Sequence, residues 1–151
     1  SWCTFVTSGQ VASMVRSCLL LDVPVIVTEQ YPKGLGRTAE EILFSLPDDF
    51  AVYEKISFSS CGAAGFLEKL EEQQTRQVIL CGIETHICVN QTAHDLLNEN
   101  FQVHLLTDSV ASRFPHDKEA ALRKMRASGV TPATSGGSLS RRSQKLASSQ
   151  I

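Results

Sequence analysis

One twelve-residue stretch constrains the fold of this chain most strongly: residues 78–89, with the sequence Val-Ile-Leu-Cys-Gly-Ile-Glu-Thr-His-Ile-Cys-Val. It begins as an apolar run of strand length, breaks at Gly82, and continues in a helical pattern as far as Leu97. A cysteine in the first turn of such a helix, here Cys88, is well placed to be a nucleophile, because unpaired N–H groups and the helix dipole stabilise a thiolate. The alternative is that Cys88 is a small buried core residue, the commoner role of a free cysteine.

Strand-like and helix-like segments alternate along the rest of the chain. Apolar residues at helical spacing predict helices over 10–21, 38–44, 63–73, 86–98 and 117–127, the second of them capped by Thr38. Continuous or β-branched apolar runs predict strands over 23–28, 51–57, 77–81, 101–107 and 129–133. This alternation predicts an α/β fold with three αβα layers around a mainly parallel sheet, in a Rossmann-like arrangement.

The end of the chain differs in composition from the rest. Residues 135–151 contain six serines, two glycines and three cations, with no acidic residue. Such a segment cannot bury enough apolar surface to fold, so the prediction is a domain over 1–134 followed by a disordered Ser-rich tail over 135–151.

Charge and cysteine content exclude several classes of protein. A net charge of -2 gives no electrostatic reason to expect binding to nucleic acid or to an anionic membrane, and the apolar runs are too short to span a bilayer. The five cysteines are odd in number and lack CxxC spacing, which argues against a disulfide scaffold or a zinc ribbon. A reducing compartment follows, with a cytoplasmic location predicted and a mitochondrial one left open.

Three segments resemble one known family, in the order in which that family has them. Gly82-x-x-Thr85-x-x-Cys88-Val89 resembles the nucleophile turn of the isochorismatase-like cysteine hydrolases, which include nicotinamidases and N-carbamoylsarcosine amidase. Residues 21–36 resemble the second strand and following loop of the metal-independent branch, and residues 54–59 resemble the strand end that carries the family's catalytic lysine. The resemblance covers roughly residues 10–134 and implies the isochorismatase-like form of the αβα fold.

The resemblance also implies roles for particular residues. Cys88 would be the nucleophile that attacks an amide carbonyl, and the ammonium of Lys55 would stabilise its thiolate. The backbone N–H groups of Glu84 and Cys88 would form an oxyanion hole, beside a cis peptide between Ile83 and Glu84. The alternative for Lys55 is a solvated lysine at a strand end. Possible substrate contacts are Glu29, Gln30, Tyr31, Phe58 and His86.

One member of the family's triad has no counterpart in this sequence. The resemblance places the catalytic aspartate at the end of a first, central strand, ahead of residue 1. The expectation is therefore an N-terminally truncated domain or fragment without its first central strand, for which residues 4–7 would be a poor substitute. Glu29 is the nearest acid that could enter the crevice, so activity is expected to be impaired.

The sequence predicts neither a metal nor a cofactor. The loop over residues 28–33 lacks the histidines that hold a metal in nicotinamidases, and the four histidines are scattered. The predicted function is a cysteine hydrolase acting on the C–N bond of a small amide, with a small-molecule substrate and a homo-oligomeric state. The alternatives are a non-catalytic member used for binding or oligomer assembly, and a protein in which Cys88 is a redox-sensitive thiol.

Overall fold

A computed structural model describes residues 2–138 of the chain, with side chains from residue 8 onward. Its helices and strands are, in order, α1 (Trp2–Leu20), β1 (Val27–Gln30), α2 (Pro32–Leu35), α3 (Glu40–Leu43), β2 (Val52–Lys55), α4 (Phe66–Glu72), β3 (Gln77–Ile83), α5 (Asn90–Asn98), β4 (Gln102–Ala111), α6 (Pro115–Ala127) and β5 (Thr131–Ala133). A 3-10 turn over Ser60–Gly62 precedes α4, and a π-helical turn over Thr85–Val89 joins β3 to α5.

All of the strand pairs in residues 2–138 are parallel, which confirms the predicted α/β class. β1 pairs with β2 in a register that runs from Val27 opposite Val52 to Gln30 opposite Lys55. A second group has the order β3-β4-β5. Within the described residues no hydrogen bonds join β1 to β3, so the strands form two groups, β1-β2 and β3-β4-β5. In the described residues β1 and β2 are both edge strands of the first group, and β3 and β5 are the edge strands of the second.

The strands lie between two layers of helices. Along β4, Val103 and Leu105 belong to the main core, which includes Leu96 of α5 and Met125 of α6. Leu106, on the opposite face of the strand, belongs to a second cluster with residues of α1. Neighbouring strand residues point to opposite faces, so β4 is covered on both sides. This is the predicted αβα layering.

The N-terminal segment forms a helix and no strand. The prediction left residues 1–7 without structure and considered residues 4–7 as a poor strand, whereas α1 runs from Trp2 to Leu20. Met14 and Cys18 anchor this helix in the second core cluster. Because each further helical residue adds one hydrogen bond and no proline interrupts residues 2–10, the helix extends toward the N-terminus.

Two strand boundaries differ from the prediction by four residues, and the others by two or fewer. β1 begins at Val27 instead of Val23, because Val23 and Val25 pack in the cluster of α1 outside the strand ladder. β4 continues to Ala111, past a shift in its register with β3 between Leu80 and Gly82. The irregularity lets the end of β3 pair with a later part of β4 than a regular ladder would allow.

The predicted tail begins with an ordered turn. Residues 135–138 are helical, and the carboxylate of Asp108 accepts hydrogen bonds from the N–H of Ser135, 3.1 Å from each of its oxygens, and from the Ser135 hydroxyl. Disorder was therefore wrongly predicted for these four residues, and the rest of the tail lies outside the described residues. None of the helices in residues 2–138 is long and apolar enough to cross a membrane.

Candidate active site

Cys88 lies in the π-helical turn that follows the carboxyl end of β3, and its side chain is half-buried. The turn is closed by Glu84, whose carbonyl accepts from the N–H groups of Ile87 and Val89, at 3.2 Å each. Gly82 has φ 122°, a conformation that other residues rarely adopt, and the peptide bond between Ile83 and Glu84 is cis. The sequence therefore places Cys88 at the edge where parallel α/β sheets bind ligands.

Lys55 ends β2 with its side chain buried, at 6% exposure, and does not extend into solvent. Its Nζ donates to Gln30 Oε1 at 2.6 Å, to the carbonyl oxygen of Ser57 at 3.1 Å and to that of Phe58 at 2.7 Å. A lysine ammonium has three protons and a neutral amine only two, so three oxygen acceptors favour the charged form. The alternative of a solvated strand-end lysine is wrong.

Lys55 and Cys88 interact electrostatically across the two strand ends. Desolvation lowers the pKa of Lys55, while the negative charge of the Cys88 thiolate and a hydrogen bond with it act in the opposite direction. Among the described residues no carboxylate forms an ion pair with Lys55. The structure thus brings the two residues that the sequence singled out into one site.

Two other cysteines differ from Cys88 in their surroundings. Desolvation raises the pKa of Cys61, and a hydrogen bond from Ser59 only partly offsets this. Desolvation, together with the charges of Cys18 and Asp108, raises the pKa of Cys81 to about 12. Both thiols are therefore held in the unreactive protonated form at neutral pH.

The two polar residues at the end of β1 are both engaged with the protein. Glu29 is buried at 8% exposure, and its Oε1 accepts from the N–H and the hydroxyl of Thr38, both at 2.8 Å. Thr38 was predicted to cap a helix, but Ala39 occupies that position and Thr38 instead binds Glu29. Gln30 binds Lys55 through its Oε1 and donates from its Nε2 to the carbonyl of Ile56 at 2.9 Å.

Aromatic side chains follow the same two strands. Tyr31 comes directly after β1 and is 53% exposed, while Phe58 lies three residues beyond β2 and is 52% exposed. Because β1 and β2 are parallel and in register, both rings belong to the edge that carries Lys55. Their role as substrate contacts stays a prediction.

His86 is linked to the end of β4 and to α6. Its Nδ1 lies 2.9 Å from Ser112 Oγ and 3.7 Å from Glu84 Oε2, and its Nε2 lies 3.8 Å from Asp117 Oδ2. Glu84 Oε2 also accepts from the N–H of Arg113 at 3.0 Å. No local sequence pattern indicated Ser112, Arg113 or Asp117, since each lies more than twenty residues from the nucleophile turn. His86 therefore has a fixed place between two carboxylates.

Hydroxyl groups that the sequence did not single out hold the elements of the site together. Thr28 Oγ1 and Ser60 Oγ are 3.0 Å apart, and the N–H of Ser60 donates to Thr92 Oγ1 at 2.9 Å. These contacts join β1, the segment after β2 and α5. In the same region Thr85 Oγ1 and Asn90 Oδ1 are buried without a hydrogen-bond partner, a condition that is rare and often found at functional sites.

The described residues contain no cluster of three histidine, cysteine, aspartate or glutamate side chains that could hold a metal ion. The site as built consists of a thiol, a buried lysine and backbone groups. Such groups suffice for nucleophilic attack on a carbonyl with electrostatic stabilisation.

Comparisons with known proteins identify the family to which the chain belongs. The family model described as the isochorismatase domain matches residues 7–136. Isochorismatase domain-containing protein 2 of Xenopus laevis is 41% identical over 128 residues, which are 85% of this chain and 61% of the relative. This chain therefore spans about three fifths of the length of that relative.

Solved structures give the same result. The MAR1 ribonuclease from Caenorhabditis elegans is 35% identical with a TM-score of 0.81, over 90% of this chain and 68% of that one. YcaC of Escherichia coli, described as an octameric hydrolase of unknown specificity, has a TM-score of 0.83 at 20% identity, over 89% of this chain and 67% of that one, and supports the fold alone. Because the family model matches residues 7–136, most of this chain, the chain belongs to the isochorismatase family.

Proposed function

We propose that this chain is a thiolate-dependent hydrolase domain that acts on the C–N bond of small amides, with Cys88 as nucleophile. The observation that carries the proposal is the buried Lys55, whose Nζ is surrounded by three oxygen acceptors and interacts with Cys88. A cation fixed beside a thiol favours the thiolate, which is the reactive form of cysteine.

The proposed reaction has two stages. The Cys88 thiolate adds to the amide carbonyl, and the oxygen's negative charge is received by the backbone N–H groups of Glu84 and Cys88. The C–N bond then breaks, the amine leaves with a proton, and a thioester remains. Water, losing a proton, attacks this thioester and releases the carboxylic acid and the thiolate.

Both stages need a group that gives and takes a proton. Glu29 is committed to Thr38 through Oε1, and Lys55 must keep its charge to stabilise the thiolate. Positioned acid–base catalysis is worth about 10²–10⁴-fold in rate. We therefore propose that the 151-residue chain alone turns over amides slowly, and that a carboxylate beside Lys55 and Cys88 would accelerate it.

The test measures release of ammonia or amine from a panel of small amides. We expect slow hydrolysis by the chain as given, none by Cys88→Ala, and an increase of about 10²-fold or more when an aspartate-ended strand is added ahead of residue 1. Cys61→Ala is the matched control and should behave like the parent. Equal activity of the Cys88→Ala variant would contradict the proposal.

The same experiment decides between this function and the alternatives. If neither the chain nor its extended form hydrolyses any amide while both fold, a binding or assembly role is favoured. Because one structural relative is named as a ribonuclease, a single-stranded RNA belongs in the panel, and we expect no cleavage by a chain whose net charge is -2. We also propose a homo-oligomer, by analogy with the octameric neighbour, which light scattering would detect.

A further inference from the structure

Gln30 forms a bridge between the two strands that end at the site. Gln30 and Lys55 are the last residues of β1 and β2 and stand opposite each other in the parallel register. The Gln30 amide accepts from Lys55 Nζ at 2.6 Å and donates to the carbonyl of Ile56 at 2.9 Å. Both ends of this side chain are therefore occupied by hydrogen bonds to the neighbouring strand and the residue that follows it.

The second of these bonds sets the orientation of the amide. The carbonyl of Ile56 can only accept, so the nitrogen of the Gln30 amide must face it. The amide oxygen must then face Lys55, where it accepts a charge-assisted hydrogen bond. The negative end of the Gln30 amide dipole therefore points toward the Lys55 ammonium.

Gln30 also differs in kind from the other two oxygen partners of Lys55. Ser57 and Phe58 contribute backbone carbonyls, whereas Gln30 contributes a side chain from a different strand. Lysine is a flexible four-carbon chain with a rotatable ammonium, so the cross-strand bond restricts where its charge can lie. We infer that Gln30 is a positioning residue, which holds the Lys55 ammonium beside Cys88; this rests on the thiolate–lysine pair of the proposed function.

The test is the rate at which iodoacetamide alkylates Cys88 in the folded protein as a function of pH, measured by mass spectrometry. We expect Gln30→Leu to raise the pH midpoint of Cys88 alkylation by about 0.5–1 unit, less than Lys55→Met does, since an adjacent cation shifts such midpoints by about 1–3 units. At neutral pH this means alkylation about 3–10-fold slower. Gln77→Leu is the control, because it removes another in-register cross-strand amide bond, Gln77 Nε2 to Gln102 Oε1 at 2.8 Å, at the opposite end of β3.

A double variant separates positioning from a merely structural effect. If Gln30 acts through Lys55, Gln30→Leu has no further effect on Cys88 alkylation in a Lys55→Met background. An equal slowing in both backgrounds would overturn the inference. A Lys55→Met variant that alkylates like the parent would overturn the thiolate–lysine pair itself, whereas a shift with Lys55→Met and none with Gln30→Leu would overturn only the role of Gln30.

Gln30→Glu covers the case in which Gln30→Leu fails to fold. It preserves the shape and the acceptor, but its carboxylate neutralises the Lys55 charge that reaches Cys88. Because this carboxylate cannot donate to the Ile56 carbonyl, we expect a folded protein with a lowered thermal midpoint, together with a raised pH midpoint of Cys88 alkylation. Unchanged or faster alkylation in this variant would contradict the inference.

Discussion

Glu29 holds the loop over residues 31–38 against the end of β1, and its replacement should release that loop. Its carboxylate accepts two hydrogen bonds of 2.8 Å from Thr38, and its side chain is buried. Hydrogen bonds to charged groups contribute about 1.5–3 kcal/mol each, but Thr38 is only half-buried, so water replaces part of the loss. Glu29→Ala should therefore lower the free energy needed to open the loop by about 2–3 kcal/mol, and Glu29→Gln, which keeps an acceptor, should lower it by about 1 kcal/mol.

Limited trypsin digestion measures this opening directly, because Lys33 and Arg37 are exposed within the loop. A decrease of 2–3 kcal/mol in the free energy of opening corresponds to cleavage at these residues roughly 30–150-fold faster in Glu29→Ala. The matched control is Glu54→Ala, since Glu54 is the in-register partner of Glu29 on β2 but is exposed. If Glu29→Ala is cleaved at the rate of the control, the hydrogen bonds from Thr38 to Glu29 do not hold the loop, and Glu29 is available as a proton carrier.

Two further predictions concern the C-terminal turn and metal. Desolvation raises the pKa of Asp108, but hydrogen bonds, those from Ser135 foremost, outweigh it and hold the pKa below its usual value. The ionised carboxylate therefore stabilises the fold above about pH 4. This contribution is lost as the pH falls through the pKa of Asp108 in the folded state. Asp108→Asn should then lower the free energy of unfolding by about 1 kcal/mol at pH 7 and by much less at pH 3. Urea unfolding of parent and variant at the two pH values measures this; an equal loss of stability at pH 7 and pH 3 would contradict the reasoning. Any amide hydrolysis should persist in the presence of a chelator, because the described residues, those around Gln30 included, contain no cluster of side chains that could hold a metal ion. Loss of activity on chelation that zinc or iron restores would contradict this prediction.

The local pattern of the sequence predicted the strand-to-helix unit of the site well. β3 and the helix beyond Cys88 lie where an apolar run and a helical period indicated them, but β3 continues through Gly82 to Ile83 instead of ending at Cys81. The expectation of a parallel α/β fold followed from the alternation of such units. These features depend on neighbours within one turn or one strand, which a sequence displays directly.

The side-chain partners could not be predicted in the same way. Gln30 was expected to touch substrate, yet the structure has it bound to Lys55, twenty-five residues away, a contact that depends on the register of β1 and β2. Thr38 looked like a helix cap because its local pattern fits one, but a buried carboxylate on β1 competes for its donors. The π-helical form of the turn around Cys88 likewise depends on packing beyond the local sequence.

The measurement that tests the central claim most directly is the rate of iodoacetamide labelling at each cysteine under brief, substoichiometric treatment at neutral pH. Cys88 should be labelled first, because Lys55 stabilises its thiolate while burial raises the pKa of both Cys61 and Cys81. Lys55→Met should remove this lead of Cys88 over the other cysteines. Preferential labelling of Cys3 or Cys61, or a lead of Cys88 that persists in Lys55→Met, would contradict a nucleophile activated by the lysine.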